Sequence, residues 1–239
     1  MQNPTIKLSY FDTVCKALQL VKMSFRGAFI YAFCMSLINQ LISLDFVNTF
    51  ALTDDKITLT RPVLFGVYLF LMFATILFGN SLILVRQNAI LHHQQFGFME
   101  TMRPILNRLP GIFVSGIAFT LLSIVGMGLH IIPGVLFMTC FYLYLPSLIF
   151  AHKKVFEAWR YSFSLIKKQF FSTLALVLTS LILLWIPPAV ASLLGGVLNS
   201  GNTYFGLEIT GMILLISLIL LLMNAMNIVW FYLLHQNKQ

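Results

Sequence analysis

Six stretches of this chain, residues 28–44, 63–85, 111–129, 133–151, 170–190 and 207–233, are almost uninterruptedly apolar. Each is close to the length that crosses a bilayer, since a hydrocarbon core about 30 Å thick takes about 20 residues of α-helix. A helix is required there because it satisfies its own backbone hydrogen bonds where water is absent. Composition removes the alternative of buried helices in a water-soluble protein. Of the residues, 59% are hydrophobic and 9% charged, whereas a wetted globular surface needs roughly a quarter of its residues charged. The chain therefore reads as an all-α membrane protein with six transmembrane helices, one membrane domain over 1–239.

The third and fourth stretches are separated only by His130, Ile131 and Ile132, which implies a tight hairpin with Pro133 in the first turn of the fourth helix. Pro187 and Pro188 are expected to end the fifth helix near Trp185. Residues 199–203, rich in Asn and Gly, read as a turn. Cys15, Cys34 and Cys140 are odd in number and far apart, so they read as packing residues and not as a disulfide or metal framework. No apolar core with a cleavage site marks residues 1–25 as a signal peptide.

Basic residues are enriched in cytoplasmic loops. When alternate loops are compared, all but Lys56 and Arg61 of the 15 Lys and Arg fall on one side. Asp45, Asp54, Asp55 and Glu208 of the 7 acids fall on the other. With an even number of spans, both termini are expected in the cytoplasm. The net charge of +8 thus belongs to a membrane face, and nucleic acid is not expected as a partner.

Three amphipathic segments precede the first, third and fifth spans. Phe11, Val14, Leu18, Val21 and Phe25 recur at helical intervals of three and four, with Ser9 and Asp12 resembling a capping box. At an offset of 88 stand Met99, Met102, Leu106, Leu109 and Phe113; at 145 stand Phe156, Trp159, Phe163, Ile166 and Phe170. An acid follows the first position each time, as Asp12, Glu100 and Glu157. This predicts three parallel repeats of a surface-lying amphipathic helix plus a transmembrane hairpin, over about 8–90, 96–151 and 153–234. The competing reading is coincidence in an apolar-rich chain. Pro104 is expected to kink the second surface helix or to start it.

Lying in the headgroup layer, these helices would turn their apolar faces into lipid. Lys16, Lys22, Arg103, Arg108, Lys153, Lys154, Arg160, Lys167 and Lys168 would then form a belt facing anionic lipid. The simpler alternative is that these charges only set topology.

Coupled transport normally places ionisable residues in mid-membrane, and the central part of every stretch lacks them. The polar residues that enter are Asn39, Gln40, Asn80, Ser81, Asn224 and Asn227, read either as interhelical hydrogen bonds or as a substrate path. Adjacent histidines such as His92 and His93 point about 100° apart on a helix and make a poor metal pair. His130 and His152 have no Cys, Asp or Glu at ligand spacing. No nucleophile, metal-protease or phosphate-loop motif occurs, so neither catalytic residues nor a cofactor or metal is expected. Gly195 and Gly196 read as a helix breaker or a close-packing point, and Trp159, Trp185 and Trp230 as an interfacial belt.

From Ile132-Pro133-Gly134 through Pro146 to Glu157-Ala158-Trp159-Arg160-Tyr161-Ser162-Phe163-Ser164-Leu165, the chain resembles the YciC-type family of bacterial inner-membrane proteins. That family has a Pro-Gly opening a transmembrane helix, a later proline, then an amphipathic helix with Ala, Ser and Leu. Related membrane domains, including those attached to glycerophosphodiester phosphodiesterases, use the same elements. The resemblance covers residues 132–165, with similar length and span number over the whole chain. It implies an inner-membrane location and supplies no catalytic residues. The expected function is non-enzymatic, in envelope or membrane-lipid homeostasis through anionic lipid, a membrane-protein partner or a second copy of the chain; the alternative is a passive or lipid-handling transporter.

Overall fold

The computed structural model describes residues 9–47, 50–53, 56–59, 62–94, 96–197 and 205–236. Among the described residues the elements are helical apart from one short hairpin: α1 (Tyr10–Val47), β1 (Phe50–Thr53), β2 (Lys56–Leu59), α2 (Pro62–Leu91), α3 (Phe98–Leu106), α4 (Leu109–Leu129), α5 (Ile131–Cys140), α6 (Tyr144–Ile149), α7 (Val155–Ile166), a 3₁₀ turn (Lys167–Gln169), α8 (Phe170–Val197) and α9 (Phe205–Gln236). Among the described residues, six helical segments are long and apolar enough to cross a membrane. The chain is a polytopic membrane protein in that sense. The antiparallel hairpin, with Phe50 opposite Leu59 and Thr53 opposite Lys56, falls in a loop that hydropathy alone leaves blank.

Two expected breaks are absent. The first amphipathic segment does not form a helix of its own: α1 runs unbroken for 38 residues, because residues 22–30 contain neither a proline nor a turn signal. At 1.5 Å per residue α1 is about 57 Å long, well beyond the hydrocarbon thickness. Similarly, α8 continues through Pro187 and Pro188 to Val197. A proline removes one backbone donor, a loss that neighbouring groups in a membrane bundle can absorb. Gly195 and Gly196 therefore lie in the last turn of α8 without breaking it. The turn expected over 199–203 lies outside the described residues.

Other boundaries follow the sequence more closely. The second amphipathic segment is a separate helix, α3, which contains Pro104 and ends two residues later. The third is marked off from α8 only by the 3₁₀ turn. His130 alone links α4 to α5, with Pro133 in the first turn. The fourth span is interrupted over 141–143, where α5 gives way to α6.

The core sits where α2 and α9 finish. α1 packs against α9 and α2, α8 against α9 and α5, and α6 against α7. In the second half of α9, Leu221, Ala225, Met226, Ile228, Trp230 and Phe231 are all buried, as expected of a helix surrounded by others. At the opposite end, Val63, Phe70, Leu121, Ile124, Ile182 and Trp185 are exposed. Apolar surface costs about 25 cal/mol per Å² in water, so hydrocarbon is the medium that suits these faces.

The contact face of α1 is rich in small residues: Thr13, Ala17, Ser24, Ala28 and Ala32 are fully buried, and Leu20, Val21 and Met35 are buried alongside them. Small side chains let helix backbones approach, and that approach drives association where lipid and side chain are equally apolar. Cys15 and Cys34, expected to pack inside, are exposed on α1, and Cys140 is half-buried. Of the tryptophans, Trp185 is exposed but Trp230 is wholly buried, where its Nε1 donates to Thr173 Oγ1 at 2.9 Å; it belongs to the core and not to an interfacial belt.

Candidate functional site

Three helix starts carry the residues that the sequence marks. α1 begins at Tyr10, α3 at Phe98 and α7 at Val155, with Asp12, Glu100 and Glu157 in their first turns. Ser9 Oγ accepts from the Phe11 amide at 3.2 Å, satisfying an orphan donor of α1. At α3 the reciprocal bond forms: the Gly97 amide donates to Glu100 Oε2 at 2.8 Å.

The expected apolar faces divide into two rows. Phe11, Met99 and Phe156 are 70%, 77% and 87% exposed, and Leu18, Leu106 and Phe163 are exposed as well. The other row turns inward. Val14, Met102 and Trp159 are half-buried against the core, while Val21 and Ile166 are buried. Trp159 Nε1 donates to Ser115 Oγ at 2.6 Å, and its ring meets Phe141 at 4.9 Å. A face laid wholly in the headgroup layer is thus corrected to an exposed outer row and an inner row that anchors the helix. The most buried positions were not singled out by the pattern: Thr13 and Ala17, Thr101 and Ile105, Ala158 and Ser162 are all fully buried.

The cations of the expected belt also differ in role. Lys16, Lys22, Arg103, Lys154, Arg160, Lys167 and Lys168 are exposed, whereas Arg108 and Lys153 are half-buried. Arg108 Nη1 donates to the carbonyls of Leu148 at 3.1 Å and Lys153 at 3.5 Å. Lys153 Nζ lies 5.8 Å from the centre of the Tyr161 ring. Around them a cleft of about 240 Å³ is lined by Arg108, Gly111, Leu148, Lys153, Lys154 and Val155.

Arg86, near the end of α2, donates from Nη1 to the Phe96 carbonyl, and a Cβ on Gly27 would stand 3.2 Å from its Nε. Arg86 therefore ties the segment leading into α3 to α1. Phe98 stacks on Tyr31 at 6.2 Å and makes the same connection. At the ends of the first two hairpins, His93 and His152 adopt positive φ, 56° and 53°. At His93 the Gln94 amide reaches the Ala89 carbonyl at 2.8 Å, a Schellman-type stop.

A polar seam joins α1, α2 and α9. Asn224 Nδ2 donates to Asn80 Oδ1 at 2.9 Å, Tyr232 to Asn88 Oδ1 at 2.6 Å, Ser217 to Ser36 at 3.1 Å, and Gln87 Nε2 to the Leu221 carbonyl at 2.9 Å. Ser81 is buried but bonds back to Leu77 of its own helix. Asn39 Oδ1, Gln87 Oε1 and Asn227 Oδ1 are buried with no hydrogen-bond partner among the described residues; Gln40 is half-buried.

No family model, no curated protein and no solved structure matches this chain. Its chemistry is therefore read from its own groups. Among the described residues, no three of His, Cys, Asp and Glu gather as metal ligands would. What the geometry offers is a set of exposed cations on and next to helices that also carry exposed apolar side chains, and a buried seam of amides and hydroxyls.

Proposed function

We propose that this protein is a non-enzymatic inner-membrane protein that serves envelope or membrane-lipid homeostasis by holding anionic lipid at its basic end, which faces the cytoplasm. One observation carries the reading. Phe11 and Leu18, Met99 and Leu106, Phe156 and Phe163 are exposed beside the exposed cations Lys16, Lys22, Arg103, Arg160, Lys167 and Lys168. An apolar row with lysine and arginine next to it matches the boundary between acyl chains and charged headgroups.

The architecture proposed with it is threefold. Starts at Tyr10, Phe98 and Val155 reproduce the offsets of 88 and 145, and the offset of 145 recurs between the ends of α2 at Leu91 and α9 at Gln236. Burial follows the same register: exposed at Phe11, Met99 and Phe156, buried at Thr13, Thr101 and Ala158. These coincidences support parallel repeats about the membrane normal, with the YciC-type likeness as the matching family proposal.

Substituting Lys16, Lys22, Lys167 and Lys168 together by Gln should lower the phosphatidylglycerol recovered with protein purified from mixed phosphatidylglycerol and phosphatidylcholine bilayers. Unchanged recovery refutes the proposal. A second reading, passive or lipid-handling transport along the polar seam, is favoured by the buried unpaired oxygens of Asn39, Gln87 and Asn227. It requires solute flux into proteoliposomes that falls when Asn80 and Asn224 are replaced by Leu.

A further inference from the structure

We infer that the cleft between the starts of α4 and α7 and the end of α6 is a discrete phosphate-binding site, which a phospholipid headgroup fills from the bilayer; this rests on the lipid-holding role proposed above. Arg108 is the anchor. Its Nη1 is committed to the Leu148 and Lys153 carbonyls, which fixes the plane of the guanidinium while Nε and Nη2 keep their donors unpaired among the described residues. A fixed guanidinium with two nitrogens to spare suits paired recognition of phosphate oxygens.

Two further cations share the cleft. Lys153 is held over the Tyr161 ring, and Lys154 is exposed on the rim. The chain turns into this pair at His152, which takes the left-handed conformation at φ 53°. Arg108 and Lys154 are also the N-cap residues of α4 and α7, and neither caps its helix through its side chain. Two helix starts add the positive ends of their dipoles to three formal charges. The nearest acid along the chain, Glu157, does not line the cleft.

The rest of the lining, Gly111, Leu148 and Val155, is apolar. Cations above an apolar wall fit a phosphate with acyl chains attached better than a free ion. The two sources share one chemistry and differ in that wall, so each can be probed.

The test uses full-length protein and native mass spectrometry after purification with phosphatidylglycerol. The expected result is one tightly held lipid per chain, its retention falling at least tenfold in Lys154→Gln and in Arg108→Lys, which keeps the charge but loses the planar fork. The four-lysine variant of the preceding section should keep that one lipid while losing bulk phosphatidylglycerol. If it loses no bulk lipid but the single lipid stays sensitive to Lys154→Gln, the belt reading fails and the cleft stands. Inorganic phosphate is titrated in parallel by calorimetry. Saturable binding that Lys154→Gln abolishes, with no retained lipid, keeps the phosphate site and replaces its source with a free ion. Equal lipid retention in all variants and no phosphate binding overturns the inference.

Discussion

Glycines at the α4–α5 hairpin show how single atoms set this packing. A Cβ built on Gly134 would stand 2.7 Å from the Met127 backbone nitrogen, and one on Gly126 would stand 2.9 Å from the Gly134 Cα. Backbone cannot swing aside as a side-chain tip can. Gly134→Ala should therefore cost about 1–3 kcal/mol, the usual penalty of overpacking, seen as a lower Tm in detergent. Gly128 has open space around its missing Cβ, so Gly128→Ala should be neutral or stabilising by up to about 1 kcal/mol. Equal effects of the two substitutions would contradict the hairpin geometry. At this scale the sequence was least legible. Thr13, Ala17, Thr101 and Ser162 contribute little to any hydropathy pattern, yet they form the contact surface, because in lipid closeness of approach selects the interface and apolarity does not. The large apolar residues that drew attention, Phe11, Met99 and Phe156, point away from it.

Helices were legible where their boundaries depend on composition and less so where they depend on neighbours. The apolar span over 111–129 emerged as α4 almost unchanged, and Ser9 began α1 as its capping chemistry implied. The continuity of α1 was not readable, because the change from amphipathic to apolar character at residues 22–30 looks like a boundary while containing nothing that stops a helix. That continuity has a consequence: Arg26→Pro should destabilise the protein by about 3 kcal/mol or more, measured by thermal or denaturant unfolding in detergent. A near-neutral result would show that the segment before residue 28 is separate after all. Between helices, the Asn80–Asn224 hydrogen bond should give a coupling of about 0.6 kcal/mol, and no more than about 1.7, in a double-mutant cycle to Ala. Zero coupling would remove this pair from the forces that hold α2 to α9.

For the whole molecule, six helices long and apolar enough to cross a membrane were legible because their composition follows from the cost of placing charge in hydrocarbon. The cleft at Arg108 was not, since Arg108, Leu148 and Lys153 converge from distant parts of the chain. The proposed orientation is checked in a variant with Cys15, Cys34 and Cys140 replaced by Ala. An impermeant maleimide applied to the outer face should modify Asp54→Cys and spare Lys168→Cys until the membrane is opened. The reverse pattern would invert the protein and separate its cations from the cytoplasmic leaflet.

Among the described helices, α1 leaves the ribosome first and α9 last, yet each packs extensively on the other. The side of α1 that meets α9 must therefore wait, without that partner, until α9 has been made, while α2 packs on it sooner. Chains stopped before residue 205 lack α9 and leave α1 held by its packing on α2 and α8.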